Sequence, residues 1–237
     1  GPVRVGIPVA DLTAGIFCAQ GILVALLERE VSGEGQWVQT SLLQAQIAML
    51  DFQATRWLMD KEVPPQAGNN HPTSIPTGVF QTSDGHINIA VAGQAIWERF
   101  CRSIGATTWL EDPRFTTGKL RSTNRNDLNK LIQNYLKTNT RQYWIDKLNE
   151  SGIPCGPIYS IDQMFGDPQV QHLGIAQSVQ HPKLGKITLV GQPYVLSRTN
   201  ASIRTAPPER GEHTDQILTE LGVGAAQIAD YHKRNVV

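Results

Sequence analysis

Apolar positions along the first sixty residues follow two different periods. Val3-Arg4-Val5-Gly6-Ile7-Pro8-Val9-Ala10 reads as an apolar strand, and Leu12 to Glu30 carries a continuous helical pattern. Ser32-Gly33-Glu34-Gly35 predicts a turn and Gln36 to Thr40 a second strand; Ser41 then caps a predicted helix with Leu43, Ile47, Leu50 and Ala54 at helical spacing. Strand, helix, strand, helix is the order of an α/β layer. A parallel sheet needs more strands than this segment supplies. The sheet is therefore expected to be completed from upstream or by another chain.

Pro64-Pro65 opens a polar stretch, Gln66 to Ser74, that predicts a linker. Gly78 to Thr82 and Ile87 to Val91 flank Ser83-Asp84-Gly85-His86, a hairpin signature with Asp-Gly in the turn. Helical patterns cover Ile96 to Ile104, Arg125 to Lys137 and Arg141 to Asn149. Pro154-Cys155-Gly156-Pro157 predicts an extended turn, because each proline restricts the residue before it. A short capped helix is expected over Ser160 to Phe165, and two or three strands between Ile175 and Val195. Helices at Asp215 to Leu221 and Ala225 to Lys233 close the chain. The expected fold class is α/β. Residues 1–62 form part of a Rossmann-like large domain, 63–77 a linker, 78–170 a smaller α+β domain, and 171–237 a return segment that rejoins the large domain.

Composition narrows the function classes. The 237 residues are 40% hydrophobic, with 21 basic and 21 acidic side chains, so no basic excess points to nucleic acid or anionic lipid. The apolar stretch Ile16 to Leu27 is interrupted by Gln20-Gly21 and closed by Glu28-Arg29-Glu30, which reads as too short to span a bilayer. No membrane partner and no cleaved leader are expected. Cys18, Cys101 and Cys155 are odd in number and far apart, which argues against a disulfide framework and for a cytoplasmic location. The six histidines form no metal signature, so no metal is expected.

Two places carry candidate chemistry. Asp11 stands where the predicted strand meets the predicted helix, at the carboxyl end of a strand, where open α/β sheets bind ligands. The helix N-terminus favours negative charge there, and a carboxylate so placed can be a covalent nucleophile. Aspartate is equally a preferred N-cap, and residue type and position leave both roles open. Gly93-Gln94 also follows a strand and precedes a helix, so free backbone N–H groups can face an anion or a carbonyl oxygen, or simply form a connection.

Read together, the segments resemble the family III CoA-transferases, which include formyl-CoA transferase, carnitine CoA-transferase and, more distantly, α-methylacyl-CoA racemase. The resemblance is carried by Gly6-Ile7-Pro8-Val9-Ala10-Asp11-Leu12-Thr13-Ala14-Gly15, Gly33-Glu34-Gly35-Gln36, Thr40-Ser41-Leu42-Leu43 and Pro76-Thr77-Gly78-Val79-Phe80 with Asp84-Gly85. It continues through Asp112-Pro113-Arg114-Phe115, Gly152-Ile153-Pro154-Cys155-Gly156-Pro157, Asp167-Pro168-Gln169-Val170, His181-Pro182, Pro207-Pro208 and Gly211-Glu212-His213-Thr214, in the family's order.

The resemblance implies that Asp11 is the nucleophile of a CoA transfer between an acyl-CoA and a small carboxylic acid, through an aspartyl anhydride and an aspartyl-CoA thioester. It implies substrate binding at Gly93 and Gln94, coenzyme A as a substrate without any metal, and an interlocked homodimer. It further implies that this chain is the C-terminal portion of a longer polypeptide, with most CoA contacts upstream. Where formyl-CoA transferases carry a run of glycines, this chain has Ala92-Gly93-Gln94, and many members have tyrosine in place of Thr77. The alternatives are an acyl-CoA racemase or isomerase, which is disfavoured because Ala92-Gly93 replace a glutamate of that branch, and a non-catalytic interaction fragment.

Overall fold

The computed structural model describes residues 3–237, so the first two residues of the predicted 1–62 segment lie outside the described part. The chain divides into two compact units, one ending at Pro157 and the other running from Ile158 to Val237. Both mix helices with antiparallel strands.

The first unit opens with helices α1 (Val9–Ser32), α2 (Leu42–Ala48) and α3 (Phe52–Asp60). No strand precedes α1 among the described residues, against the strand expected over Val3 to Ala10. A strand needs a neighbour for its N–H and C=O groups, and Pro8 has no N–H to offer. Pro8 instead takes the N-cap position, its carbonyl accepts from Leu12 N–H at 3.0 Å, and helix begins at Val9. Gln36 to Thr40, also expected as a strand, runs without a ladder. It packs back on α1 where Gly21 gives room: a Cβ on Gly21 would lie 2.8 Å from the Val38 methyl Cγ1. The single helix expected from Ser41 is two, because Asp51 turns the chain at φ 49°. Ser41 does cap α2, accepting from Gln44 N–H at 3.1 Å.

Helix α1 buries only Ala14. Leu12, Ile16, Leu23 and Leu27 all lie more than half exposed, and apolar residues occupy every side of the helix. By length and composition it meets the test for a membrane span, as the core helix of a soluble protein also does. The exclusion drawn from Ile16 to Leu27 therefore fails on length, because the helix extends past that stretch at both ends.

The core of the first unit lies further along. Strands β1 (Thr77–Gln81) and β2 (His86–Ala90) pair antiparallel, with Phe80 opposite Ile87, as the alternating pattern and Asp84-Gly85 predict. The hairpin turn is held from outside: the Asp84 carboxylate accepts from Arg141 N–H at 2.7 Å and from the Thr82 hydroxyl at 2.9 Å. Helix α4 (Gln94–Ile104) turns Trp97, Phe100, Cys101 and Ile104 inward, the spacing of one helical face. Two unpredicted elements follow, a 3-10 turn over Thr107–Leu110 and α5 (Gly118–Thr123), whose Thr117 cap accepts from Leu120 N–H at 3.2 Å. Helices α6 (Arg125–Leu136) and α7 (Arg141–Glu150) add Leu128, Ile132, Leu136, Trp144 and Leu148 to the core. The Pro154 to Pro157 turn becomes an edge strand, β3 (Cys155–Pro157), with Cys155 opposite Ile89.

In the second unit, Ser160 and Gln163 form a capping box on α8 (Ile161–Gly166), and Asp167 caps α9 (Pro168–Leu173), which has proline in its first turn. Of the two or three strands expected between Ile175 and Val195 there are two, β4 (Ala176–His181) and β5 (Gly185–Val190), paired as an antiparallel hairpin around Pro182 to Leu184. Helices α10 (Thr214–Glu220) and α11 (Ala225–Lys233) follow as predicted, with one-residue differences in α10 only.

The Arg141 N–H, then the Thr82 hydroxyl, hold the Asp84 carboxyl below its usual range. A depressed carboxyl contributes stability that is full above the usual range and lost as pH falls below about 4. Asp84→Asn is therefore expected to lose less melting temperature than the parent between pH 7 and pH 3, as read by circular dichroism. Equal losses in both proteins would contradict this role for the turn.

Candidate active site

Asp11 occupies the third position of α1, in its first turn and not at its cap. The cap residue is Pro8, with no side-chain hydrogen bond to the helix, so the capping role open at the sequence level is not the one Asp11 has. Its carboxylate is exposed, and among the described residues it makes no hydrogen bond or ion pair. The neighbouring Thr13 hydroxyl instead donates back to the Val9 carbonyl at 2.7 Å. The first turn of a helix directs free N–H groups and a partial positive charge toward such a carboxylate. Chemically this is an exposed carboxylate with both oxygens free of protein partners among the described residues, carried on a helix.

Gly93 and Gln94 form the entry to α4. Gly93 is the N-cap at φ 84°, ψ 167°, a conformation that favours glycine, and Gln94 is the first helical residue. Behind them, the Thr77 hydroxyl accepts from Val91 N–H at 3.1 Å, so Thr77 ties the start of β1 to the end of β2. No hydrogen bond or ion pair joins Asp11 to either residue.

Beneath Gln94 lies a residue that sequence reasoning did not single out. Arg121, on α5, is 2% exposed. Its Nη1 donates to Gln94 Oε1 at 3.0 Å and to the Phe115 carbonyl at 2.9 Å, and its Nε donates to the Ile75 carbonyl at 3.1 Å. The guanidinium carbon stands 4.9 Å from the centre of the Trp97 ring. No carboxylate pairs with it among the described residues, and burial lowers its pKa from the usual value. The local signal for its helix is the Thr117 cap; the arginine's partners are two backbone carbonyls and a side-chain amide 27 residues away, which leave no pattern.

Two of the histidines are engaged in turns. His71 Nδ1 accepts from Thr73 and Ser74 N–H, and buried His181 accepts from Lys183 and Leu184 N–H, so both histidines organise turns. No group of three or more metal-ligating side chains is gathered among the described residues.

Comparison with known proteins places this geometry in a family. The family model for CoA-transferase family III matches residues 1–214. The chain is similar to human succinyl-CoA:glutarate CoA-transferase, 29% identical over 220 residues, which are 93% of this chain and 50% of that protein. It is also similar to formyl-CoA:oxalate CoA-transferase of Bradyrhizobium diazoefficiens, 31% identical over 98% of this chain and 60% of that protein. Among solved structures, a CAIB/BAIF family protein from Brucella suis superposes with a TM-score of 0.74 at 27% identity, over 93% of this chain and 57% of its own. The chain thus spans about half the length of the curated relatives it matches.

The three cysteines are free thiols, and two are chemically muted. Burial pushes the Cys101 thiol up to about 12 and that of Cys155 up to about 11. Since the thiolate is the reactive form, brief treatment of the native protein with iodoacetamide at pH 8 is expected to leave Cys101 unmodified by mass spectrometry, with alkylation following on unfolding. Rapid labelling of Cys101 in the native state would show that its surroundings are open.

Proposed function

The chain belongs to CoA-transferase family III, and from that membership we propose that Asp11 is the nucleophile that moves CoA from an acyl-CoA donor to a carboxylic acid acceptor. The observation that carries this reading is the Asp11 carboxylate itself, held in the first turn of α1 and left without a hydrogen bond or ion pair among the described residues.

The chemistry follows from what a carboxylate can do to a thioester. An Asp11 oxygen attacks the acyl carbonyl, the C–S bond breaks, and CoA leaves as thiolate from a mixed anhydride. The thiolate then attacks the aspartyl carbonyl, releasing the donor acid and leaving an aspartyl-CoA thioester. The acceptor carboxylate attacks that thioester to form a second anhydride, and the thiolate returns to its acyl carbonyl, freeing the new acyl-CoA and the Asp11 carboxylate. Acyl activation is conserved throughout if water is kept away. Gly93 and Gln94 are assigned to the acid substrate, whose negative charge suits the N-terminus of α4. Relatives named for glutarate and for oxalate support a short dicarboxylic acid as acceptor.

The same membership supports a partnered assembly. From Leu12 to Met59 the helices expose Ile16, Leu23, Leu27, Leu43, Trp57 and Leu58, more apolar surface than a lone soluble unit leaves open. A second copy of the chain is the proposed partner. A self-associated species is expected in sedimentation at tens of micromolar, roughly where exposed apolar patches associate; a strictly monomeric, monodisperse species would contradict it.

In the active transferase that carries this chain, Asp11→Asn and Asp11→Ala are expected to lower kcat by at least about 1,000-fold, as loss of a covalent nucleophile does. Stability should change by no more than about 1 kcal/mol, the scale of a charge at a helix N-terminus. Near-normal turnover in either folded variant would remove Asp11 from the mechanism.

A further inference from the structure

A guanidinium sealed from solvent is costly to the fold unless its donors are met. Arg121 directs three of its five N–H donors to two carbonyls and one side-chain amide, Nη2 makes no hydrogen bond among the described residues, and no carboxylate neutralises it. An apolar side chain in its place would leave the Ile75 and Phe115 carbonyls without this donor, and those two bonds hold the fold without accounting for the third, to the exposed Gln94 amide.

That third bond acts on the Gln94 amide. Arginine has donors and no acceptor, so only the Gln94 oxygen can face it, and the contact at 3.0 Å fixes which end of the amide points inward. The other end, Nε2, has two N–H donors and no partner among the described residues. The backbone is fixed at the same place, since Gly93 holds its cap conformation and Trp97 N–H donates to the Gly93 carbonyl at 3.2 Å.

We infer that Arg121 is a positioning residue for substrate: it pins the Gln94 oxygen and thereby presents the Gln94 Nε2 as a hydrogen-bond donor to a carboxylate oxygen of the acid substrate. This rests on the assignment of Gly93 and Gln94 to that substrate and adds the group that orients them. The selectivity it confers is for an acceptor atom at this point of the substrate. Arg121 does not touch the substrate, and its effect passes through one rotamer.

The test is a set of steady-state measurements on the active transferase that carries this chain, with Gln94→Ala, Arg121→Lys, the double variant and Gln94→Glu. Loss of a hydrogen bond to a charged group predicts that Gln94→Ala raises KM for the acceptor acid roughly 10- to 100-fold, with a smaller change in kcat. Arg121→Lys, which lacks the planar fork, should raise the same KM in the parent and add little in the Gln94→Ala background. Gln94→Glu keeps Arg121 and offers it a carboxylate, so the fold is retained while the N–H donor is replaced by an anion. Its KM for the acid should rise at least as far as that of Gln94→Ala, and if Arg121→Lys does not fold, Arg121→Gln takes its place in the same cycle with the same expected outcome.

Unchanged KM in Gln94→Ala would remove the substrate assignment and the positioning role together. A raised KM in Gln94→Ala, with Arg121→Lys multiplying the defect equally in both backgrounds, would leave the assignment standing and overturn the positioning role. Unchanged KM in Gln94→Glu would overturn the donor role.

Discussion

A buried cation without a counter-carboxylate constrains what it touches, because its donors draw in oxygens that the chain itself supplies. Arg121 draws in the Ile75 carbonyl just ahead of β1, the Phe115 carbonyl ahead of α5 and the Gln94 side chain at the start of α4, and it stacks over Trp97 from the core. Three segments distant in sequence are fixed by one planar group. The Gly93-Gln94 entry therefore inherits its rigidity from the apolar core beneath it.

Asp11 is supported differently. Helix α1 is long and regular, but it buries almost nothing within the described residues, and a helix that is apolar on all sides draws its stability from packing. The nucleophile proposed here thus rides on an element that needs other protein surface around it.

Where local pattern and local physics coincide, the sequence was legible. The Asp84-Gly85 hairpin, the inward face of α4, the β4–β5 hairpin and α11 were all readable because their periods and turn residues are sufficient by themselves. The strands expected at Val3 to Ala10 and Gln36 to Thr40 failed because apolar alternation does not make a strand without a neighbour, and none pairs with them among the described residues. The break at Asp51 had no signal, since a positive φ at a non-glycine residue depends on its surroundings. In the candidate site, Asp11, Gly93 and Gln94 could be named from the sequence. Arg121 could not, because its partner Gln94 lies 27 residues away and its other partners are backbone oxygens.

The central claim is that the Asp11 carboxylate becomes covalently acylated during transfer. Its most direct test is to mix the active transferase with an acyl-CoA donor in the absence of acceptor, quench with hydroxylamine, and map the hydroxamate by peptide mass spectrometry. A hydroxamate at Asp11 that depends on the donor is the expected result; a hydroxamate confined to another residue, or none despite active turnover, would contradict it.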